Sequence, residues 1–213
     1  HYASFSWRPV NNINGTGFPE PPYYAGDKRV FMAEQFYDVE HPVRSALHRS
    51  WMQMSVEQLA DKPNVIHLTS GEFTGPAHFV RLWLETIDAW RREKARSAIV
   101  GLATPRDVQD AILADERLAA MVDVIVIDFW RPQADGSTFS PPGGAHLAPR
   151  QWQRQARPGS VSADATYHAV LELRRRYGKP VVCKFDGSER FGWEILMAGG
   201  SLAPLPCRLD KPF

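Results

Sequence analysis

Four carboxylates stand where short apolar runs end: Glu72 after Val65–Leu68, Asp128 after Val124–Ile127, and Asp186 with Glu189 close behind Val181, Val182 and Cys183. A carboxylate at the end of so apolar a segment is partly desolvated, which favours its protonated form and suits a general acid. Glu72 has the sharpest setting. Gly71 before it allows close approach of backbone or ligand, and Thr74-Gly75-Pro76 turns the chain abruptly into the next element, so its carboxyl would sit on a short, stiff turn. Each residue also has an ordinary structural use. Glu72 could pair with a neighbouring Arg, Asp128 with Arg131, Arg150 or Arg106, and Asp186 and Glu189 lie in DGSERFG, a stretch that reads as a solvated turn.

Other chemistries lack their local signals. The chain has no Walker-type glycine loop, no GxGxxG after a strand and no GxSxG. The seven His are scattered, and His67 on its apolar run reads as a core histidine. Cys183 and Cys207 have no metal-type spacing and read as structural thiols, so neither metal nor cofactor is expected. Lys+Arg 25 against Asp+Glu 24 gives a net charge of +1, which provides no whole-molecule field for nucleic acid or a membrane surface. No window carries the apolar length of a membrane span. Seven Trp, eleven Phe and six Tyr are good core material, and aromatic rings also stack on sugar faces.

These residues need elements to position them. Val43, Leu47, Trp51, Met54 and Leu59 follow helical spacing from Pro42 on, as do Phe79, Leu82, Trp83, Thr86, Ile87 and Trp90. SAIVGLA, VDVIVIDFW and KPVVCKF read as strands beside NVIHLTSGE. RDVQDAILADERLAAM supplies one or two helices between them, Ala163 to Tyr177 a further one, and GWEILMAGG a last one. VFMA near Val30 and SLAP near Ser201 are weaker strand candidates. Residues 1–29 and 131–159 read as long loops. Strands alternating with helices, each uniformly apolar, predict one α/β domain over 1–213 with a parallel sheet of four to six strands covered on both faces. In such folds the site lies at the carboxyl ends of the strands.

The segments WRPVNNIN (7–14), KRVFMAEQFYDVEHPVR (28–44), NVIHLTSGEFTGPAHFVRLWL (64–84), RDVQDAILAD (106–115), PPGGAHLAPRQ (141–151) and MAGGSLAPLP (197–206) resemble a group of bacterial glycoside-hydrolase-like TIM-barrel proteins. The resemblance implies a (β/α)8 barrel with Asn64 to Glu72 as its fourth strand and Glu72 as acid/base. Gly71 stands where the wider clan has Asn, and the seventh strand reads VVCKFDGSE, so Asp186, Glu189 or Asp128 would serve as the second carboxylate. It further implies a secreted or periplasmic hydrolase of a poly- or oligosaccharide. Trp7, Phe73 and Trp130 would stack sugar rings, Arg8, Asn11, Asn12 and Arg131 would bond hydroxyls, and His1 and Tyr2 would share their loop. A non-catalytic carbohydrate-binding remnant, or a lyase or isomerase on the same scaffold, are the alternatives. A full barrel takes about 250 residues. This chain is therefore expected to be an incomplete barrel, matching strands four to eight, that self-associates or completes itself with an N-terminal segment.

Overall fold

The computed structural model describes residues 6–20, 28–69, 73–144 and 158–205. Its centre is a parallel sheet of β1 (Ile66–Leu68), β2 (Ile99–Ala103), β3 (Val124–Ile127) and β6 (Val181–Cys183), in that spatial order. Every crossover carries helix. α3 (Ala77–Lys94) links β1 to β2, α4 (Arg106–Ala114) and α5 (Glu116–Ala120) link β2 to β3, and α6 (Ala163–Tyr177) leads into β6. α1 (Lys28–Tyr37) and α2 (Pro42–Glu57) precede the sheet, and α7 (Gly192–Met197) follows it.

The helices start and stop where local chemistry dictates. Ser162 and Asp115 accept bonds from the backbone N–H groups of Ala165 and Leu118, capping α6 and α5. His41 caps α2 through Nδ1, with Pro42 in the first turn. α3 ends on Arg91, Arg92 and Lys94, cations that suit the negative end of a helix, and α6 ends on Arg174 to Arg176 before Gly178 turns left-handed at φ 64°. The face of α3 formed by Phe79, Leu82, Trp83, Thr86, Ile87 and Trp90 is buried, as its spacing predicts.

The two faces of the sheet differ. Val100, Leu102, Ile125, Ile127, Val181 and Cys183 point into one core with side chains from the helices. Ala103, Val124 and Val126 form a second, smaller cluster with the half-buried Ile66, Leu68, Ile99 and Val182, all strand residues. The expectation of cover on both faces is thus corrected: among the described residues, helices cover one face only. Uniformly apolar strands cannot distinguish a sandwiched sheet from one that is helix-covered on one side.

Three further expectations change. VFMA is part of α1 rather than a strand, and that helix already takes in Lys28 and Arg29 of the expected 1–29 loop. Within that segment Pro9–Asn11 forms a 3-10 turn. Residues 201–204 form no strand, although the Ser201 N–H donates to the Val181 carbonyl at 2.7 Å on the outer edge of β6. The 131–159 loop contains an antiparallel hairpin, β4 (Arg131–Pro132) with β5 (Thr138–Phe139). Among the described residues no helix is long and apolar enough to cross a membrane.

Candidate functional site

The carboxyl edge of the sheet gathers the chemistry. The β3–β6 register pairs Ile127 with Cys183, and one step further Asp128 meets Lys184, Nζ to Oδ2 at 3.4 Å. Val126 and Val182, two residues earlier on each strand, belong to the open face, and Asp128 and Lys184 stand just past the ends of those strands. The Asp128 side chain is 12% exposed and that of Lys184 57%. Lys184 is not among the partners expected for Asp128 from sequence. The available signal was a lone cation ending a run of apolar residues.

Asp186 is bonded by Arg131 at 2.8 Å, which ties the hairpin after β3 to the turn after β6. With its side chain 91% exposed, Asp186 behaves as the solvated turn residue that DGSERFG predicts. Glu189 is exposed on the 3-10 turn Ser188–Phe191. Of the three described carboxylates expected to do chemistry, only Asp128 is substantially sheltered. Its expected structural partner Arg106 is engaged elsewhere, with Asp110 at 2.9 Å and Glu172 at 3.0 Å.

A buried polar network underlies this edge. Gln109, wholly buried on α4, donates through Nε2 to the carbonyls of Leu102 at 3.0 Å and Val126 at 3.1 Å, and accepts from Trp130 Nε1 at 3.1 Å. Arg106 lies over the Trp130 ring at 4.6 Å. Trp130 is 1% exposed, so it is core here and not the open sugar platform expected from sequence. Gln109 itself was missed. It shares the buried stripe of α4 with Ile112 and Leu113, at helical spacings of three and four, and a polar residue on such a stripe is the signal that could have found it.

The motifs GEFTGP and PPGGAH, some seventy residues apart, meet at this edge. The Gly144 N–H donates to the Thr74 carbonyl at 2.9 Å, and the Gly143 N–H donates to the Asp107 carboxylate at 2.8 Å. Gly75 is required by its neighbours: a Cβ there would stand 2.5 Å from Phe73 and 2.8 Å from Tyr37. Glu72, His1 and Tyr2 lie outside the described residues, as does Arg150.

Beside Phe73 a cavity of about 450 Å³ opens along β1, lined by rings from α1, α2 and α3 and by His67, Leu68 and Thr69. Phe73 is buried against Tyr37 and Phe79. Trp7 is half-buried at the cavity wall, with its ring 4.8 Å from His48 and 5.5 Å from Phe18. Burial pushes the pKa of His48 down and, assisted by Arg91, also that of His67. His48 also holds the Phe36 carbonyl at 2.7 Å. Arg8 pairs with Glu20 at 2.7 Å, and Asn12 bonds Ser6 and Asn14 within its own loop, while Asn11 is exposed. The structure thus collects Phe73 and Trp7 at one cavity and Asp128, Arg131 and Asp186 at the ends of β3 and β6. Among the described residues no group of His, Cys, Asp and Glu is arranged to hold a metal.

The chain belongs, over residues 1–213, to a protein family described as a domain of unknown function, DUF6298. No curated protein and no solved structure matches it.

Proposed function

We propose that this member of the DUF6298 family is a glycoside hydrolase acting on a poly- or oligosaccharide. Its sheet would be one arc of a (β/α)8 barrel, with Glu72 as acid/base and Asp128 as second carboxylate. The observation that carries the reading is the Asp128–Lys184 pair. It sets a sheltered carboxylate at the carboxyl edge of a sequentially ordered parallel sheet. In this reading Asp128 serves as the nucleophile or base. Glu72 takes the other role. The cavity beside Phe73, with Trp7 on its wall, offers aromatic faces for a sugar ring or an apolar leaving group. Partial completion of the barrel by another copy or an N-terminal segment belongs to the same proposal.

A second reading is a non-catalytic carbohydrate-binding protein. It is favoured by the pairing of Asp128 with Lys184 and Asp186 with Arg131, which engages both carboxylates in ion pairs. The test is turnover and binding of a plant and microbial polysaccharide panel by the wild-type chain, Glu72→Gln and Asp128→Asn. Hydrolysis is expected in the wild type, with about a thousandfold loss or more in each variant and retained binding. Binding without turnover in the wild type selects the second reading, and neither binding nor turnover removes both.

A further inference from the structure

We propose that Gln109 is the positioning residue for Asp128. One amide grips the chain on both sides of that carboxylate. Nε2 holds the Val126 carbonyl two residues before Asp128, and Oε1 takes the indole N–H of Trp130 two residues after it. The second Nε2 bond, to the Leu102 carbonyl, ties this pentapeptide to β2 where the strand ends. All hydrogen-bonding capacity of the side-chain NH2 is used, the acceptor is engaged, and the group is wholly buried, so each bond is of the kind that is costly to leave unmade.

The lever is geometric. β3 ends at Ile127, so Asp128 has no place in the described ladder. What continues the edge is the Lys184 N–H donating to the Ile127 carbonyl at 2.8 Å, then the Nζ–Oδ2 contact at 3.4 Å. Three residues in a row, Asp128 to Trp130, must leave the sheet and enter β4. Trp130 anchors the far end, locked beneath Arg106 and bonded to Gln109. Fixing both ends of so short a segment restricts where the carboxylate between them can stand relative to Lys184. Nothing in this depends on the particular substrate, and the inference touches the hydrolase reading only in making Asp128 a working group.

The experiment uses the whole chain, with Asp carboxyl carbons and Trp indole nitrogens isotopically labelled and read by NMR. In the parent protein, Lys184→Met should shift the Asp128 carboxyl titration. In Gln109→Met, which keeps the length and loses every bond, the Trp130 indole resonance should move, and the effect of Lys184→Met on Asp128 should shrink severalfold. Gln109→Glu keeps an acceptor for Trp130 but offers at most one donor, its acid proton, to the two carbonyls, so it should retain the indole bond and lose part of the Asp128 response. Trp130→Phe frees only the far end and should reproduce the Gln109→Met effect in part. An Asp128 response to Lys184→Met that stays at the parental size in the folded Gln109 and Trp130 variants overturns the proposal. If Gln109→Met does not fold, Gln109→Glu and Trp130→Phe decide between the same two outcomes. Because no readout involves turnover, absence of glycosidase activity would sink the hydrolase reading and leave this one standing.

Discussion

The helix-covered face of the sheet and its open face are made from the same strands and almost the same residue types, yet they differ in how completely water is excluded. On the covered face Leu102, Ile125, Ile127 and Val181 have no exposed surface. On the other, Ile66, Leu68, Ile99 and Val182 are only partly buried around Ala103, Val124 and Val126. Strand residues supply apolar surface on alternate sides regardless of what lies opposite, so burial is decided by the crossovers, and here these carry helix to one side. The covered face therefore holds the stability of the fold, while Asp128 and Lys184 stand just past the ends of β3 and β6.

The contrast can be broken most directly by truncation. Ile125→Ala should cost about 2–5 kcal/mol in urea unfolding, as a cavity in a close-packed core does. Leu68→Ala should cost about 1 kcal/mol or less, since its surface is already part wet. Equal losses would mean that another segment or copy covers the open face in solution, which would sharpen the barrel proposal.

Reactivity separates the faces next. Burial pushes the Cys183 thiol up to about 12, which leaves so little thiolate at pH 8 that labelling by a disulfide reagent should wait on unfolding. Read in a Cys207→Ser background, since Cys207 lies outside the described residues, rapid native labelling of Cys183 would show the covered core to be open there.

The smallest expected effect is pH dependence. His48 and His67 have folded pKa values below the ordinary histidine value, so the unfolded chain binds protons first. Their contribution is complete above about pH 6.5 and is lost as pH falls below it towards the depressed values. Denaturation midpoints should decline from pH 7 to pH 5, with a shallower decline in His48→Gln. An unchanged slope in that variant would remove His48 from the account.

How much of this could be read beforehand depends on length of signal. Val124–Ile127 and the α3 stripe declare themselves because four consecutive apolar residues and about three turns of helical spacing leave few alternatives. VFMA misled because a four-residue apolar run has no period of its own, and Met32 is buried from a helix as readily as from a strand. The two-residue strands β4 and β5 lie below any pattern. At the site, the strand-end positions of Asp128 and Asp186 were legible from the apolar runs before them, whereas their partners Lys184 and Arg131 depend on strand registers and loop closures. Trp130 was misassigned for a related reason. An aromatic next to a strand-end carboxylate looks the same in sequence whether it faces solvent or lies under Arg106.

The order of the strands has a consequence for how the molecule opens. Every neighbour in the parallel sheet is also the next strand of that sheet along the chain, so assembly requires no threading and contacts stay comparatively local. β2 and β3 each have two strand partners, and β1 has one in the described sheet. Protection of backbone amides from exchange should therefore grade inward from β1. The rim beside the aromatic cavity would breathe first, while the strand that presents Asp128 stays shut until global unfolding.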